Sequence, residues 1–346
     1  MGKQTLLIIL SIFIAVGILI QVYILGYKSA SQKSTSKVKT STSEEEAING
    51  DNYDSIFQEM QEMLSDLNND NSASIKQYYS LYPNGPTPTI LMSLGRSGSG
   101  STWQIMGNLT GHETPSTEYT GSSTRKSVHF FEKVGTEKNP GNWLMEYLCY
   151  LQQKYHTSGI VGFKWKPYTT IFSDAALAAL QLIGNSANPA IRVVRLRRNL
   201  LDVVISRTKH SIYDVRSHCI IGDEECLKQH AEAALSGVEL PTHNLLRRLE
   251  ELNRLEEAVD QLLVKFNVLH VHVSFENLYL SDRDNVSEWS KLLNFLAVGE
   301  KKLTTEKLLH SMRHVSTSNT KQSDTITNME EVRDILVGTV FEDLIH

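Results

Sequence analysis

The chain has 346 residues, of which 40% are hydrophobic and 21% charged, and a formal net charge of −5. That length holds a membrane segment, a spacer and one large domain rather than two equal ones, and the composition supplies a sizeable core. The acidic balance excludes a general nucleic-acid binder, which needs a basic excess to release counterions from phosphates.

Gln4 to Tyr27 carries no charged residue, and Thr5 to Leu25 is dense in Leu, Ile and Val. This stretch is long enough to cross a bilayer as a helix and too long for a usual signal-peptide core. The expected order is a short tail at residues 1–4, a membrane helix at 5–27, a flexible stem at 28–85 and a folded domain at 86–346. Charge does not orient the helix, because Lys3 and the amino terminus compete with Lys28, Lys33, Lys37 and Lys39. Ser29-Ala30-Ser31 leaves cleavage open, and Leu6 stands where myristoylation favours Ser or Thr. The stem is rich in Ser, Thr, Lys, Glu, Asp and Asn. Such a segment cannot bury enough apolar surface to offset its ordering entropy. Ile56, Met60, Met63, Leu64 and Leu67 recur at helical spacing and predict a marginal amphipathic helix within it.

Beyond Pro83-Asn84-Gly85-Pro86 short apolar runs alternate with longer helical ones. Strands are predicted at Thr89–Leu94, Ile160–Trp165, Ile191–Leu196 and Val268–Phe275, and helices at Ser101–Leu109, Asp174–Ile183, Asn199–Lys209 and Asn244–Phe266. This alternation predicts an α/β fold with a mainly parallel sheet covered by helices on both faces. In the last helix Leu245, Leu249, Leu252, Leu255, Val259, Leu262 and Phe266 form one stripe. It reads as core packing, with a partner helix as the alternative.

The first strand runs into Gly95-Arg96-Ser97-Gly98-Ser99-Gly100-Ser101-Thr102-Trp103, and a helix begins at once. Backbone N–H groups of a Gly/Ser loop, joined to a helix N-terminus, cradle a phosphate or sulfate dianion. The spacing Gly95-x4-Gly100-Ser101-Thr102 nearly fits the triphosphate loop G-x4-G-K-[ST]. Ser101 replaces its lysine, however, and the nearby cation is Arg96, so the loop suits an anion other than Mg-ATP. The bland alternative is a plain strand-to-helix turn.

A second basic run is Arg192-Val193-Val194-Arg195-Leu196-Arg197-Arg198-Asn199, followed by Asp202 and Ser206. Asn199 is a helix cap, and Arg198 leaves the strand end, where ligands gather in open α/β sheets. Ser206 stands about two turns into the helix, in reach of the same anion. A solvated basic strand edge is the competing reading.

Together these segments resemble the sulfotransferase family, whose members carry a 5′-phosphosulfate loop [KR]-S-G-[ST]-x-W and a later 3′-phosphate element R-[ND]-P-x-D-x3-S. Arg96-Ser97-Gly98-Ser99 with Thr102-Trp103 matches the first, with Gly100 and Ser101 as extra or rearranged loop. Arg198-Asn199-Leu200-Leu201-Asp202 through Ser206 matches the second, with Leu200 in place of proline. Val273-Ser274-Phe275-Glu276-Asn277-Leu278 looks like the family's strand ending in Y-E-D-L, and Trp289 to Leu296 like the helix after it. The resemblance covers roughly Pro88 to His346.

It implies a P-loop-like sheet and 3′-phosphoadenosine 5′-phosphosulfate as sulfuryl donor, with no metal. Carried over by position, the backbone of Ser97, Gly98, Ser99, Gly100, Ser101 and Thr102 holds the 5′-phosphate, and Arg96 is the catalytic cation at the bridging oxygen. Arg198 and Ser206 hold the 3′-phosphate. The family's basic C-terminal loop is missing. Lys321, ahead of Asp324-Thr325-Ile326-Thr327-Asn328-Met329-Glu330-Glu331, stands as a donor contact or as an ordinary exposed lysine. Arg313 has less support.

The acceptor hydroxyl needs a base. By resemblance to Golgi members this is Glu118, with Glu113 and His129 as competitors. Lys164 and Lys166 around Trp165 either favour an anionic glycan or lie along the surface beside a buried ring. The implied enzyme is a single-pass type II Golgi membrane protein with a lumenal domain and a glycan acceptor. A tyrosyl-protein or small-alcohol acceptor, a P-loop kinase or NTPase, and a tethered interaction protein are the rivals. Cys219 and Cys226 are a disulfide or two free thiols, and Cys149 is a small buried hydrophobe. No cysteine or histidine pair suggests zinc. The sequon at Asn108 falls inside a helix and reads as chance, whereas Asn285 is open to glycosylation in a lumen.

Overall fold

The computed structural model describes residues 81–110, 118–119, 142–155, 159–167, 174–186, 190–213, 224–280, 285–297, 303–312 and 321–345. The predicted membrane segment and nearly all of the stem therefore lie outside the described residues, as do Glu113, His129, Cys219 and Arg313. Among the described residues no helix is long and apolar enough to cross a membrane.

Five parallel strands form one sheet: β1 (Thr87–Met92), β2 (Glu118–Tyr119), β3 (Ile160–Trp165), β4 (Arg192–Arg197) and β5 (His270–Ser274). Their spatial order is β2-β3-β1-β4-β5. The four predicted strands are all present, and β2 is an addition too short to leave a periodic trace. Helices between the strands are α1 (Ser99–Thr110), α2 (Asn142–Lys154), α3 (Asp174–Asn185), α4 (Leu200–Tyr213), α5 (Glu224–Leu235) and α6 (Leu245–Lys265). After β5 come α7 (Phe275–Tyr279), α8 (Asn285–Phe295), α9 (Thr305–Met312), α10 (Gln322–Thr325), α11 (Met329–Leu336) and a final 3₁₀ turn, Glu342–Leu344. Every residue of β3 is buried, and in β1 all but the first, as befits strands covered on both faces.

Leu91, Trp103, Met106, Val194, Leu196, Phe275 and Trp289 meet in one core cluster. On α6 the stripe Leu245, Leu249, Leu252, Leu255, Val259 and Leu262 is buried, so it packs the core and is not a partner face. Its neighbour Glu256 is buried with it and pairs with Arg195, which has 0% exposure on β4. Asp260 Oδ1 lies 2.8 Å from Arg195 Nε, and its other oxygen pairs with Arg197. Burial, then the like charge of Arg197, draws the Arg195 guanidinium down to about 9.

Gln152 of α2 fastens the entry to β1. It accepts from the Tyr82 amide at 2.9 Å and donates to the Pro86 carbonyl at 2.8 Å. The folded body thus reaches back to Leu81, which is buried, into the last residues expected to be stem.

Candidate anion-binding site

Strand order sets the location. The connection leaving β1 travels toward β2 and β3, while the one leaving β4 travels the other way, to β5. Adjacent strands whose connections diverge open a crevice at their carboxyl ends, the usual ligand site of an open α/β sheet. The loop with Arg96 follows β1 and Arg198 follows β4, so both sequence motifs open onto that crevice.

In the β1 loop Arg96 holds a left-handed backbone at φ 70°, and Gly98 follows at φ 79°. A non-glycine residue there carries a strain that the surroundings must hold in place. Helix α1 begins at Ser99, earlier than the predicted Ser101, because the Thr102 N–H bonds the Gly98 carbonyl at 3.0 Å. The amides of Ser99, Gly100 and Ser101 precede the helix's own acceptors and form its anion-seeking first turn. Ser97 is fully buried and its Oγ has no hydrogen-bond partner. A buried, unmatched hydroxyl in such a loop is a position for a ligand oxygen.

Thr102 faces elsewhere. Its Oγ1 donates to the Gly98 carbonyl at 3.0 Å and meets the Tyr279 hydroxyl at 2.9 Å. Burial raises the Tyr279 phenol, although its bond to Thr102 works against the shift, so it stays a neutral anchor. Thr102 therefore ties the loop to α7, and its hydroxyl is not directed at a ligand.

The two motifs touch. Arg96 Nε donates to Ser206 Oγ at 3.1 Å, and Arg198 Nη1 donates to the Arg96 carbonyl at 3.1 Å. These two bonds join the loop after β1 to the segment after β4. Arg198 lies over the Phe275 ring at 4.4 Å, a cation–π contact. Its buried Nε makes no hydrogen bond, and Asp202 Oδ2 is 4.0 Å away. Burial lowers the Arg198 guanidinium from its ordinary value, while Asp202 and Glu276 act in the opposite direction.

Asn199 is the expected cap of α4. Its Oδ1 accepts from the amides of Leu201 at 2.9 Å and Asp202 at 3.3 Å. Its own amide donates to Glu276 Oε1 at 2.9 Å. Ser274 caps α7 by accepting from the Asn277 amide, which turns Phe275 and Glu276 toward the crevice side of β4. Phe275 and Glu276, from the Val273–Leu278 run singled out by resemblance, thus flank Arg198 and Asn199, while Tyr279 just beyond that run serves Thr102.

Of the remaining candidates, Glu118 stands in the edge strand β2, level with Lys164 of β3 and through it with Leu91 of β1. Lys164 is itself buried within β3, so it does not lie along the surface beside Trp165, and strand alternation turns the two side chains to opposite faces of the sheet. Lys321 is exposed at the start of α10. Its neighbour Gln322 donates to Asp202 at 2.9 Å, bringing that segment to the arginine side of the crevice. Cys149 is buried as expected. Asn108 lies exposed within α1, and Asn285 begins α8. Among the described residues no group of His, Cys, Asp or Glu is arranged to hold a metal.

Set against models of known protein families the chain matches none, and a search of curated proteins also finds no match. The site therefore rests on its own geometry: a strained Gly/Ser loop, a helix first turn, and two arginines meeting at the switch point of a parallel sheet.

Proposed function

We propose that this chain is a sulfotransferase of the P-loop-like fold, using 3′-phosphoadenosine 5′-phosphosulfate as sulfuryl donor and a hydroxyl group, foremost of a glycan, as acceptor. The contact between Arg96 and Ser206, joining the first motif to the second, is the observation that carries the reading. A strand–turn–helix loop with an orphaned serine hydroxyl, leading into the first turn of a helix, fits a 5′-phosphosulfate. Arg198, with a buried donor that finds no acceptor, fits a second anion, the 3′-phosphate.

When bound, the donor supplies the sulfuryl group; the chain supplies position and charge. The first-turn amides and Ser97 hold the 5′ end, and Arg198 and Ser206 hold the 3′ end. Arg96 neutralises charge developing on the bridging oxygen, which is where group transfer of this kind needs it. Glu118 accepts the acceptor's proton, and Lys321 screens the donor from the side of α10. The Golgi lumen, reached by a type II membrane helix at residues 5–27, completes the proposal.

The kinase or NTPase alternative is disfavoured by two residues. Ser101 stands in place of the loop lysine, and Thr102, at the hydroxyl position that serves Mg²⁺ in such loops, is bonded to Gly98 and Tyr279.

The test is transfer of radiolabelled sulfate from the donor to panels of glycans, peptides and small alcohols by the detergent-solubilised full chain. Labelled glycan supports the reading, and Glu118→Gln then lowers turnover while leaving donor affinity in place. No labelled product in any panel, together with no affinity for the desulfated nucleotide, overturns it.

A further inference from the structure

The side chain of Gln322 links α10 and the final turn Glu342–Leu344 to the second anion element. It is 2% exposed. Its Nε2 donates to Asp202 Oδ1 at 2.9 Å and to the Leu344 carbonyl at 3.0 Å. The same carbonyl accepts from Asn199 Nδ2 at 2.8 Å. One buried amide thus fixes Asp202, while the turn that supports it also grips the cap of α4.

Arg198 and Asp202 stand four residues apart across the start of α4, a spacing at which arginine and carboxylate readily close into a bidentate pair. Here they do not close: the nearest separation is 4.0 Å. The oxygen taken by Gln322 is the one a bidentate pair requires. If Asp202 were free to turn, it would occupy the guanidinium edge that an anion needs, and the negative charge would sit in the anion's place.

We infer that Gln322 is a positioning residue that holds Asp202 off Arg198 and so keeps the second anion site open to a phosphate. This rests on the reading of Arg198 as the 3′-phosphate site. The ligand chemistry follows from it: an adenosine nucleotide with a phosphate at the 3′ position loses affinity when the restraint is removed, and one without it does not.

Calorimetry with adenosine 3′,5′-bisphosphate and adenosine 5′-monophosphate separates the possibilities. The full chain should prefer the bisphosphate; if it prefers neither, or binds neither, the reading of Arg198 fails and this inference goes with it. Given that preference, Gln322→Met, similar in volume but without a donor, should cut it about tenfold, the scale of one charge-assisted hydrogen bond. Affinity for the monophosphate should hold. Gln322→Glu keeps the shape and repels Asp202 toward Arg198, so it should reduce the preference further. Adding Asp202→Asn to Gln322→Met should restore it, because a neutral amide does not clamp the arginine. An unchanged preference in both single variants, or an equal loss for both nucleotides, overturns the proposal.

Discussion

Arg96 Nε and Ser206 Oγ meet at 3.1 Å although 110 residues separate them in the chain. The strained backbone of Arg96 and its carbonyl bond from Arg198 hold the side chain in place from behind. A donor that draws Arg96 to its bridging oxygen competes directly with Ser206.

Residues in contact give non-additive losses. Arg96→Ala should lower turnover about a hundredfold or more, as loss of a group stabilising transition-state charge does. Ser206→Ala should weaken binding of the desulfated nucleotide about tenfold, the cost of one hydrogen bond to a charged group. The double variant should lose less than the product of the two. Strict multiplication of the losses in a transfer assay would mean that the bond between them has no functional weight.

Gly98 leaves no room for a side chain. A Cβ built there falls 2.5 Å from the Phe275 ring, on a residue already at φ 79°. That ring also carries Arg198, so it has no easy retreat. Gly98→Ala should therefore displace Arg198 as well as the loop, destabilising the protein by about 1–3 kcal/mol and abolishing nucleotide binding. Trimming the ring with Phe275→Leu in the same chain should recover part of the stability in a thermal melt, because the clash is removed even though the left-handed φ stays.

Much of this arrangement was legible in the sequence. Alternation of apolar runs and helical stripes predicts the four longer strands and four of the helices between them, α1, α3, α4 and α6, because strand and helix periods depend on near neighbours; α2 and α5 are not among the predicted helices. Asn199 as a cap and the sharp strand-to-helix turn at Arg96 are equally local. The pairing of Arg96 with Ser206 and the restraint on Asp202 by Gln322 are long-range, and nothing in residue spacing encodes them. Thr102 shows the same limit from the other side. The resemblance assigns its backbone to the anion, and nothing local places its hydroxyl on Tyr279, far along the chain.

Arg195 is fully buried and held by Glu256 and Asp260, so its removal leaves the buried Glu256 with only the more distant Arg197 Nε, at 3.8 Å, while Asp260 keeps its pair with Arg197. Arg195→Met should cost about 3–5 kcal/mol in denaturant unfolding, the usual consequence of breaking a buried pair on one side. Adding Glu256→Met should recover a large part of it, since a matched apolar replacement relieves the unpaired charge. If the double variant is no more stable than the single one, Asp260 and Arg197 dominate the network.

His272, exposed on the edge strand and level with Arg195, has its pKa lowered from 6.5 to about 4 by partial desolvation, then by His270, Arg197 and Arg195. The unfolded chain therefore binds a proton at this position more readily than the folded one. Linkage then makes the folded state lose stability as pH falls from about 6.5 toward 4, and level off below, as far as this histidine is concerned. Above about 6.5 the group is neutral in both states and contributes no slope. His272→Asn should flatten that part of the profile: the variant gains on the parent as the medium is acidified and keeps a constant offset at neutral pH. Thermal midpoints of both proteins, read across that window, check the sign. A gap that is constant with pH would show that His272 titrates alike in the two states.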